Sequence, residues 1–180
     1  MPRTRPAPQG EKTSEILRAA EARLRAGGYD ALSVVGVARE LGLAQNSVYW
    51  YFPSKDHLFV ATLASMLEGL AAGKPSSART PITRILWFTD RLEPLWPLLR
   101  TLYEIQDRSD VAHDFLARLD ELVGTMLANA FREAVPPRDL ERTVTSFRAT
   151  VEGVYARGLD ARERHRVLRF TVARLTAAAS

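Results

Sequence analysis

The sequence predicts an all-α protein, and three features of the chain lead to that expectation. Apolar residues recur at spacings of three and four along most of the chain, as Ile16, Ala20 and Leu24 do, and this is the period of an amphipathic helix. No segment alternates strictly between apolar and polar residues, as a half-buried strand does. Glycine and proline residues, which end helices, fall between the periodic segments.

Two helices are expected at the start of the chain. The first runs from about residue 11 to residue 26 and ends at Gly27-Gly28. Ser33 occupies the position of an N-cap, where its hydroxyl can accept a hydrogen bond from the first turn of a second helix over residues 34–41. Gly42 then supplies a tight turn.

A brief third helix is expected over residues 45–51, because Pro53 stops it. Two short helices joined by a glycine turn form a helix-turn-helix, in which the second helix enters the major groove of DNA. Gln45, Asn46 and Ser47 lie at the start of that second helix, the end that points into the groove. Gln and Asn side chains can each pair with adenine through two hydrogen bonds.

The remaining chain predicts further helices and one clear linker. A fourth helix spans residues 55–72, and residues 73–81 contain turn-forming residues throughout. Five more helices are expected at about residues 81–92, 93–107, 110–134, 138–157 and 160–178. We expect the arginines near the C-terminus to form a solvated helix face; they are Arg157, Arg162, Arg164, Arg166, Arg169 and Arg174.

The composition excludes several classes of protein. The chain has 180 residues, 46% of them hydrophobic, which is enough for one or two packed domains. It has no cysteine, so disulfides and thiolate metal sites are excluded. His57, His113 and His165 are too far apart to show a metal-ligand spacing. No nucleophile–base pair, phosphate-binding loop or metal cluster is evident, so we expect neither an enzyme nor a bound cofactor.

The chain also lacks the signals of a membrane or secreted protein. No apolar run reaches the roughly 18 residues that cross a bilayer, so we expect no membrane partner and a cytoplasmic location. The net charge is +4 and the pI about 9.7, which permits nucleic-acid binding. Residues 1–10 carry prolines around Arg3 and Arg5. They predict a mobile arm, which is either a disordered tail or a basic segment that contacts DNA.

The N-terminal quarter resembles the TetR (tetracycline repressor-like) family of bacterial transcriptional regulators. The order and spacing of about 45 residues match the family's pattern. The matching residues are Ile16, Ala20, Gly28-Tyr29, Ser33, Val37-Ala38, Gly42-Leu43, Val48-Tyr49, Tyr51-Phe52, Ser54-Lys55 and Leu58. The rest of the chain is similar to the family only in the number and length of its helices.

The resemblance implies a two-part architecture and a regulatory function. Residues 1–56 would form a three-helix DNA-binding domain with a basic arm, and residues 57–180 a larger helical domain for ligand binding and dimerisation. The protein would be a homodimeric repressor that binds a palindromic operator in double-stranded DNA. A small apolar or aromatic inducer would release it. The alternative is a DNA-binding protein whose C-terminal domain binds a protein partner.

The resemblance extends the set of DNA contacts, and the sequence departs from the family at two places. Tyr49, Tyr51 and Lys55 are similar to phosphate-contacting residues of the family, although Tyr49 could equally pack in the core. Ala44 stands where the family often has a capping Ser or Thr. Trp50 is bulky, so it packs either on the DNA backbone or against the helix bundle. The predicted DNA-binding residues are Arg3, Arg5, Ser33, Gln45, Asn46, Ser47, Tyr49, Trp50, Tyr51 and Lys55.

A dimer surface is expected because one helix-turn-helix binds weakly, and two-fold symmetry places two of them in successive major grooves. Apolar residues of the last two helices step by four and three, which is the spacing of a helical seam. These residues are Leu140, Val144, Phe147, Val151, Val154, Leu168, Val172 and Leu175. The resemblance implies that both helices pair with their mates in a four-helix bundle. Burial inside one subunit is the alternative.

The middle of the chain is rich in bulky apolar residues. The resemblance implies a cavity between these helices for an apolar or aromatic small molecule, and Trp and Tyr also offer a polar atom beside the ring. Simple core packing is the alternative for each residue. The candidate ligand-binding residues are Met66, Trp87, Trp96, Tyr103, His113 and Phe115.

Overall fold

The computed structural model describes residues 9–73 and 80–177, and every regular element within these ranges is helical. The all-α prediction is therefore confirmed. The α-helices, numbered in chain order, are α1 (Gln9–Ala31), α2 (Val34–Glu40), α3 (Gln45–Tyr51), α4 (Lys55–Ala72), α5 (Pro81–Arg91), α6 (Trp96–Ile105), α7 (Asp110–Phe131), α8 (Leu140–Ala156) and α9 (Ala161–Ala177). Short 3-10 turns precede three of them, namely Glu93–Leu95, Gln106–Arg108 and Pro137–Asp139.

The predicted end of the first helix appears as a break inside α1. Gly27 and Gly28 have non-helical backbone angles, although helical hydrogen bonding resumes and continues to Ala31. Gly28 has φ of +66°, in the left-handed region that glycine adopts without a Cβ clash. The break redirects the chain, so that the residue after it, Tyr29, packs against the start of α4, where it contacts Phe59.

The predicted linker at residues 73–81 lies mostly outside the described residues. Its last part forms the start of α5, where the Thr80 hydroxyl accepts a hydrogen bond from the Thr83 amide at 3.2 Å. That side-chain acceptor satisfies a backbone donor at the helix end that has no intrahelical partner. The other predicted boundaries agree with the structure to within about three residues.

The described residues form two compact units. The first takes the chain up to Gly69 and adds Pro97–Leu116. In it, α1, α2 and α3 bury a shared apolar set that includes Ile16, Val37 and Val48. The predicted domain boundary, between residues 56 and 57, separates a DNA-binding part from a part for ligand binding and dimerisation. This boundary stays a prediction.

The second unit takes Leu70–Trp96 and the chain from Ala117 onwards. Helices α5, α8 and α9 pack together around one apolar core. Phe131 and Phe147 meet there with ring centroids 5.6 Å apart. Burial of such large side chains supplies most of the stabilising free energy of a domain this small.

A polar cluster lies within the second unit beside that core. The Tyr155 hydroxyl donates a hydrogen bond to the backbone carbonyl of Thr89. Trp96 stacks on the Tyr155 ring at a centroid distance of 4.7 Å, and the Arg164 guanidinium lies 4.9 Å from the same ring. Arg164 is only 5% exposed and pairs with Glu93 at 2.5 Å. The expectation of a solvated arginine face is therefore wrong for Arg164, which is paired and buried, while the other five arginines are exposed.

Burial of the Tyr155 phenol raises its pKa to about 12, from an ordinary value of 10.0. The folded protein therefore keeps this proton while the unfolded chain releases it. Its contribution to stability is complete below pH 10 and disappears between pH 10 and about 12. We expect Tyr155→Phe to show a smaller loss of melting temperature over this range than the wild type. Tyr49→Phe, which changes an exposed tyrosine, is the control; an equal loss in all three proteins would contradict the assignment.

Candidate nucleic-acid interface

Helix α3 presents one face to solvent and one to the core. Val48 is fully buried and anchors the helix on α2. Gln45 and Tyr49 are one helical turn apart and exposed, as are Asn46 and Trp50. These two i, i+4 pairs make a continuous exposed strip, which begins beside the buried Val48 at Gln45 and Tyr49 and reaches the opposite side of the helix at Asn46 and Trp50. Ser47, which the sequence also predicts as a DNA-binding residue, is exposed as well.

Trp50 lies on this strip and not in the helix bundle. Its indole is 67% exposed, and its ring meets Tyr51 edge-to-face at a centroid distance of 4.9 Å. Of the two alternatives that the sequence leaves open, burial against the bundle is therefore wrong. Tyr51 is half-buried, and its ring is the side chain against which the indole packs.

The start of α3 has no side-chain cap. Ala44 is the N-cap residue, and no side chain there accepts a hydrogen bond from the first turn. The Ser47 amide donates instead to the Ala44 carbonyl at 2.9 Å, so the amides of Gln45 and Asn46 are the ones left at the open end of the helix. Such a helix start can face an anion or an acceptor on DNA.

Two further helix starts lie in the same unit. Ser33 caps α2, because its hydroxyl accepts a hydrogen bond from the Gly36 amide at 3.2 Å. That leaves its O–H free to donate. Ser54 caps α4 in the same way, with its hydroxyl 3.2 Å from the His57 amide. Lys55, in the first turn of α4, places its ammonium 4.0 Å from the centroid of the Tyr29 ring.

The charge of the chain is not concentrated in this region. Described residues 9–58 carry six basic and six acidic side chains, so their net charge is zero. The segment 157–174 carries six arginines against Asp160 and Glu163, which alone accounts for a charge of +4. A DNA contact here must therefore rest on particular cations such as Lys55 and not on a broad positive field. The predicted arm residues Arg3 and Arg5 lie outside the described residues.

The residues of the predicted dimer seam divide by burial. Phe147, Val154, Leu168 and Val172 are buried in the core of the second unit. The other four, Leu140, Val144, Val151 and Leu175, are half-buried against the same core. Four of the eight residues are therefore enclosed in the core of their own subunit, while the other four keep a partly accessible surface, and the dimer seam stays a prediction. An open groove of about 370 Å³ between α7 and α8 brings two of them, Leu140 and Val144, to the surface beside Gly124 and Ala128.

The opposite sides of α8 and α9 show a feature that the sequence analysis missed. Phe170 is 61% exposed, which is unusual for so large an apolar side chain. Its exposed neighbours on α9 include Ala173, and α8 exposes Ala149 and Ala156. The signal was present in the sequence, because small residues recur on the face of α8 opposite the heptad stripe.

The candidate ligand-binding residues fall in both units. Met66 is buried and Phe115 half-buried in the first unit, where Tyr103 and His113 are exposed. The two other candidates, Trp87 and Trp96, lie in the second unit. Trp96 stacks on Tyr155, and the Arg91 guanidinium lies 4.8 Å from the centroid of the Trp87 ring.

None of the helices within residues 9–73 and 80–177 combines the length and the apolar character of a bilayer-crossing segment.

An exposed second helix in a helix-turn-helix pair, carried on an all-α chain, defines a regulatory protein of the helix-turn-helix class. Residues 16–62 match the sequence profile of the bacterial regulatory proteins of the tetR family. The HTH-type transcriptional repressor KstR of Mycolicibacterium smegmatis is 30% identical over 139 residues, which cover 73% of this chain and 68% of that protein. The chain belongs to the TetR family, which confirms the resemblance.

Other relatives agree. The KstR repressor of Mycobacterium tuberculosis is also 30% identical, and the match spans 63% of its length, so the chain covers less than two thirds of that protein. These relatives are named as regulators, in agreement with the expectation that the chain is not an enzyme.

Solved structures share the fold. A transcriptional regulator from Rhodococcus sp. RHA1 superposes with a TM-score of 0.76 at 15% identity, covering 93% of this chain and 97% of the other. A TetR regulator from Haloarcula marismortui gives 0.72 at 23% identity, with 94% and 98% coverage. A protein from Saccharomonospora viridis, solved in complex with choline, gives 0.68 at 16% identity, with 92% and 97% coverage.

Proposed function

We propose that this protein is a sequence-specific transcriptional repressor of the cytoplasm, which binds a palindromic DNA operator as a homodimer. The observation that carries the proposal is the exposed strip of α3, on which Gln45, Asn46, Tyr49 and Trp50 all reach solvent while Val48 of the same helix is buried. Amide and aromatic side chains on the second helix of a helix-turn-helix are suited to the edges of base pairs.

Each side chain of the strip has a chemical role in this proposal. The amides of Gln45 and Asn46 offer a donor and an acceptor together, which match N6 and N7 of adenine. Tyr49 and Trp50 present a ring with a hydroxyl or N–H donor to the sugar–phosphate backbone beside the bases. Lys55 and Ser33 donate to phosphates, which fixes the register of α3 without reading sequence.

We expect Gln45→Ala and Asn46→Ala to change the base preference of the protein. Each amide is worth about 1–3 kcal/mol of discrimination when it pairs with adenine through two hydrogen bonds. The measurement is selection of bound duplexes from a random pool, with the wild type and both variants. Ser14→Ala, far from the strip, is the control. Recovery of one and the same sequence by all four proteins would show that these residues do not read bases, and failure of the wild type to enrich any sequence would refute the proposed function.

The exposed sides of α8 and α9 support the dimer. The exposed residues that we take as the dimer surface are Phe170 and Ala173 on α9, where the Arg174 guanidinium lies 5.3 Å from the Phe170 ring centroid, and Ala149 and Ala156 on α8. The alanines are small and let a second helix approach closely. We assign the dimer contact to this surface. The residues of the predicted seam pack α8 and α9 against the core of their own subunit, and this packing fixes the position of the exposed surface.

Release by a small apolar or aromatic ligand is the further part of the proposal. It is supported by the choline complex of the related fold and by the aromatic side chains Trp87, Trp96 and Tyr103. The test combines thermal shift with DNA binding over a panel of apolar, aromatic and quaternary ammonium compounds. A compound that raises the melting temperature and weakens DNA binding supports release by a ligand. A partner protein that weakens DNA binding when no compound does so would favour the alternative.

A further inference from the structure

Four residues of the first unit meet at the start of α4, and we call them the Tyr29 cluster: Tyr29, Lys55, Asp56 and Phe59. They come from two separate parts of the chain, namely the end of α1 and the first turns of α4. Only Lys55 among them belongs to the predicted DNA-binding set. Their contacts therefore need an explanation of their own.

The Tyr29 ring holds the ammonium of Lys55. The Lys55 nitrogen lies 4.0 Å from the ring centroid, which is the geometry of a cation–π contact. The ring itself is fixed, because it meets fully buried Phe59 edge-to-face at a centroid distance of 5.1 Å. An ammonium has three N–H donors, so the donors that point away from the ring stay available to a phosphate.

The hydroxyl of the same tyrosine binds the neighbouring residue of α4. It donates a hydrogen bond to the Asp56 carboxylate, so one side chain holds two successive residues of the first turn. Burial raises the pKa of Tyr29, and the hydrogen bond to Asp56 raises it further. The nearby Arg108 guanidinium acts in the opposite direction on that pKa through a hydrogen bond and its charge.

We propose that Tyr29 is a positioning residue that holds Lys55 for its contact with a DNA phosphate. The inference rests on the proposed function. A lysine side chain loses much rotamer freedom when it binds an anion, and the fixed ring limits that freedom before DNA arrives. Loss of the ring would therefore loosen Lys55 and weaken the phosphate contact without touching α3.

The test is a double-mutant cycle on DNA affinity. Tyr29→Leu removes the ring and the hydroxyl, Tyr29→Phe keeps the ring face, and Lys55→Ala removes the cation. With a duplex selected from a random pool by the wild type, we expect Tyr29→Leu to weaken binding about two- to fivefold. Tyr29→Phe is expected to lose less, and Tyr29→Leu to have no further effect in the Lys55→Ala background.

The salt dependence separates positioning from mere loss of stability. Lys55→Ala should reduce the slope of log K against log salt by about one, and Tyr29→Leu should move the slope towards that value. Arg100→Ala, which breaks the exposed pair with Glu104, is the matched control and should change neither quantity.

Two outcomes overturn the inference. One is that the effects of Tyr29→Leu and Lys55→Ala add independently, and the other is that Tyr29→Leu weakens binding with an unchanged salt slope. Either outcome leaves the proposed function intact, because the wild type still binds its selected duplex. If the wild type binds no duplex selectively, the proposed function fails first and this inference falls with it. Melting temperatures of all variants identify any that fail to fold; if Tyr29→Leu is one of them, the cycle is repeated with Tyr29→Met, which also removes the ring that holds Lys55.

Discussion

Replacing Phe170 by glutamate is expected to convert the proposed dimer into monomers that bind the selected duplex at least about 100-fold more weakly than the wild type. The side chain is 61% exposed in the single chain, so the substitution removes no core contact. In the proposed dimer it would remove a large apolar side chain from the contact and bury a carboxylate there, which costs free energy even if Arg174, whose guanidinium lies 5.3 Å from the Phe170 ring centroid, pairs with it. A monomer contacts only one half-site of the duplex. Most of the affinity is then lost, because in a dimer the first contact holds the second α3 helix at a high effective concentration beside the other half-site.

The measurement is sedimentation of both proteins at matched concentration, followed by DNA titration. Leu122→Glu is the matched control, because Leu122 is 67% exposed on α7 and belongs to no surface assigned to the dimer. It should remain a dimer with unchanged affinity. A Phe170→Glu protein that still sediments as a dimer would contradict the assignment of this surface. Val151 is a poor site for the same test, because it is half-buried against the core and a charge there would disturb folding.

The second large effect concerns the buried ion pair of the second unit. Replacing Glu93 by alanine is expected to lower the free energy of unfolding by about 2–4 kcal/mol, because it leaves the buried guanidinium of Arg164 without its anion. A guanidinium stays protonated at any ordinary pH, so Arg164 cannot escape this cost by losing its proton. Its remaining acceptor is the Leu159 carbonyl, at 2.6 Å.

Arg164→Met provides the comparison, because it removes the buried charge and keeps much of the volume. We expect it to cost less than Glu93→Ala, although Glu93 is the more exposed partner. Glu104→Ala breaks an exposed pair and should change stability by no more than about 1 kcal/mol. Denaturant unfolding of the three variants decides the order. Equal costs for Glu93→Ala and Glu104→Ala would mean that burial of Arg164 contributes little.

The sequence predicts the N-terminal helices well because their signals are local. Ser33 as an N-cap, Gly42 as a turn and Pro53 as a stop act within a few residues of their own position, and α2 and α3 begin and end accordingly. Exposure of α3 follows in part from the same logic, since Val48 is the one residue of its seven that the structure buries.

Contacts between distant parts of the chain were not predictable in this way. The heptad spacing of Phe147 and Val154 is the same whether the residues face a partner or their own core, and only the positions of α5 and α7 decide between these. Arg164 belongs to a run of exposed arginines, and its burial depends on Glu93, 71 positions earlier in the chain. Spacing within one helix carries no information about such a partner.

The central claim is that the exposed strips of two α3 helices occupy successive major grooves of one duplex. Methylation interference on the selected duplex tests it directly, because methylation at guanine N7 blocks the major groove and methylation at adenine N3 blocks the minor groove. The claim predicts interference at N7 positions in two patches about 10–10.5 base pairs apart, related by two-fold symmetry. A single patch, or interference confined to adenine N3, would contradict it.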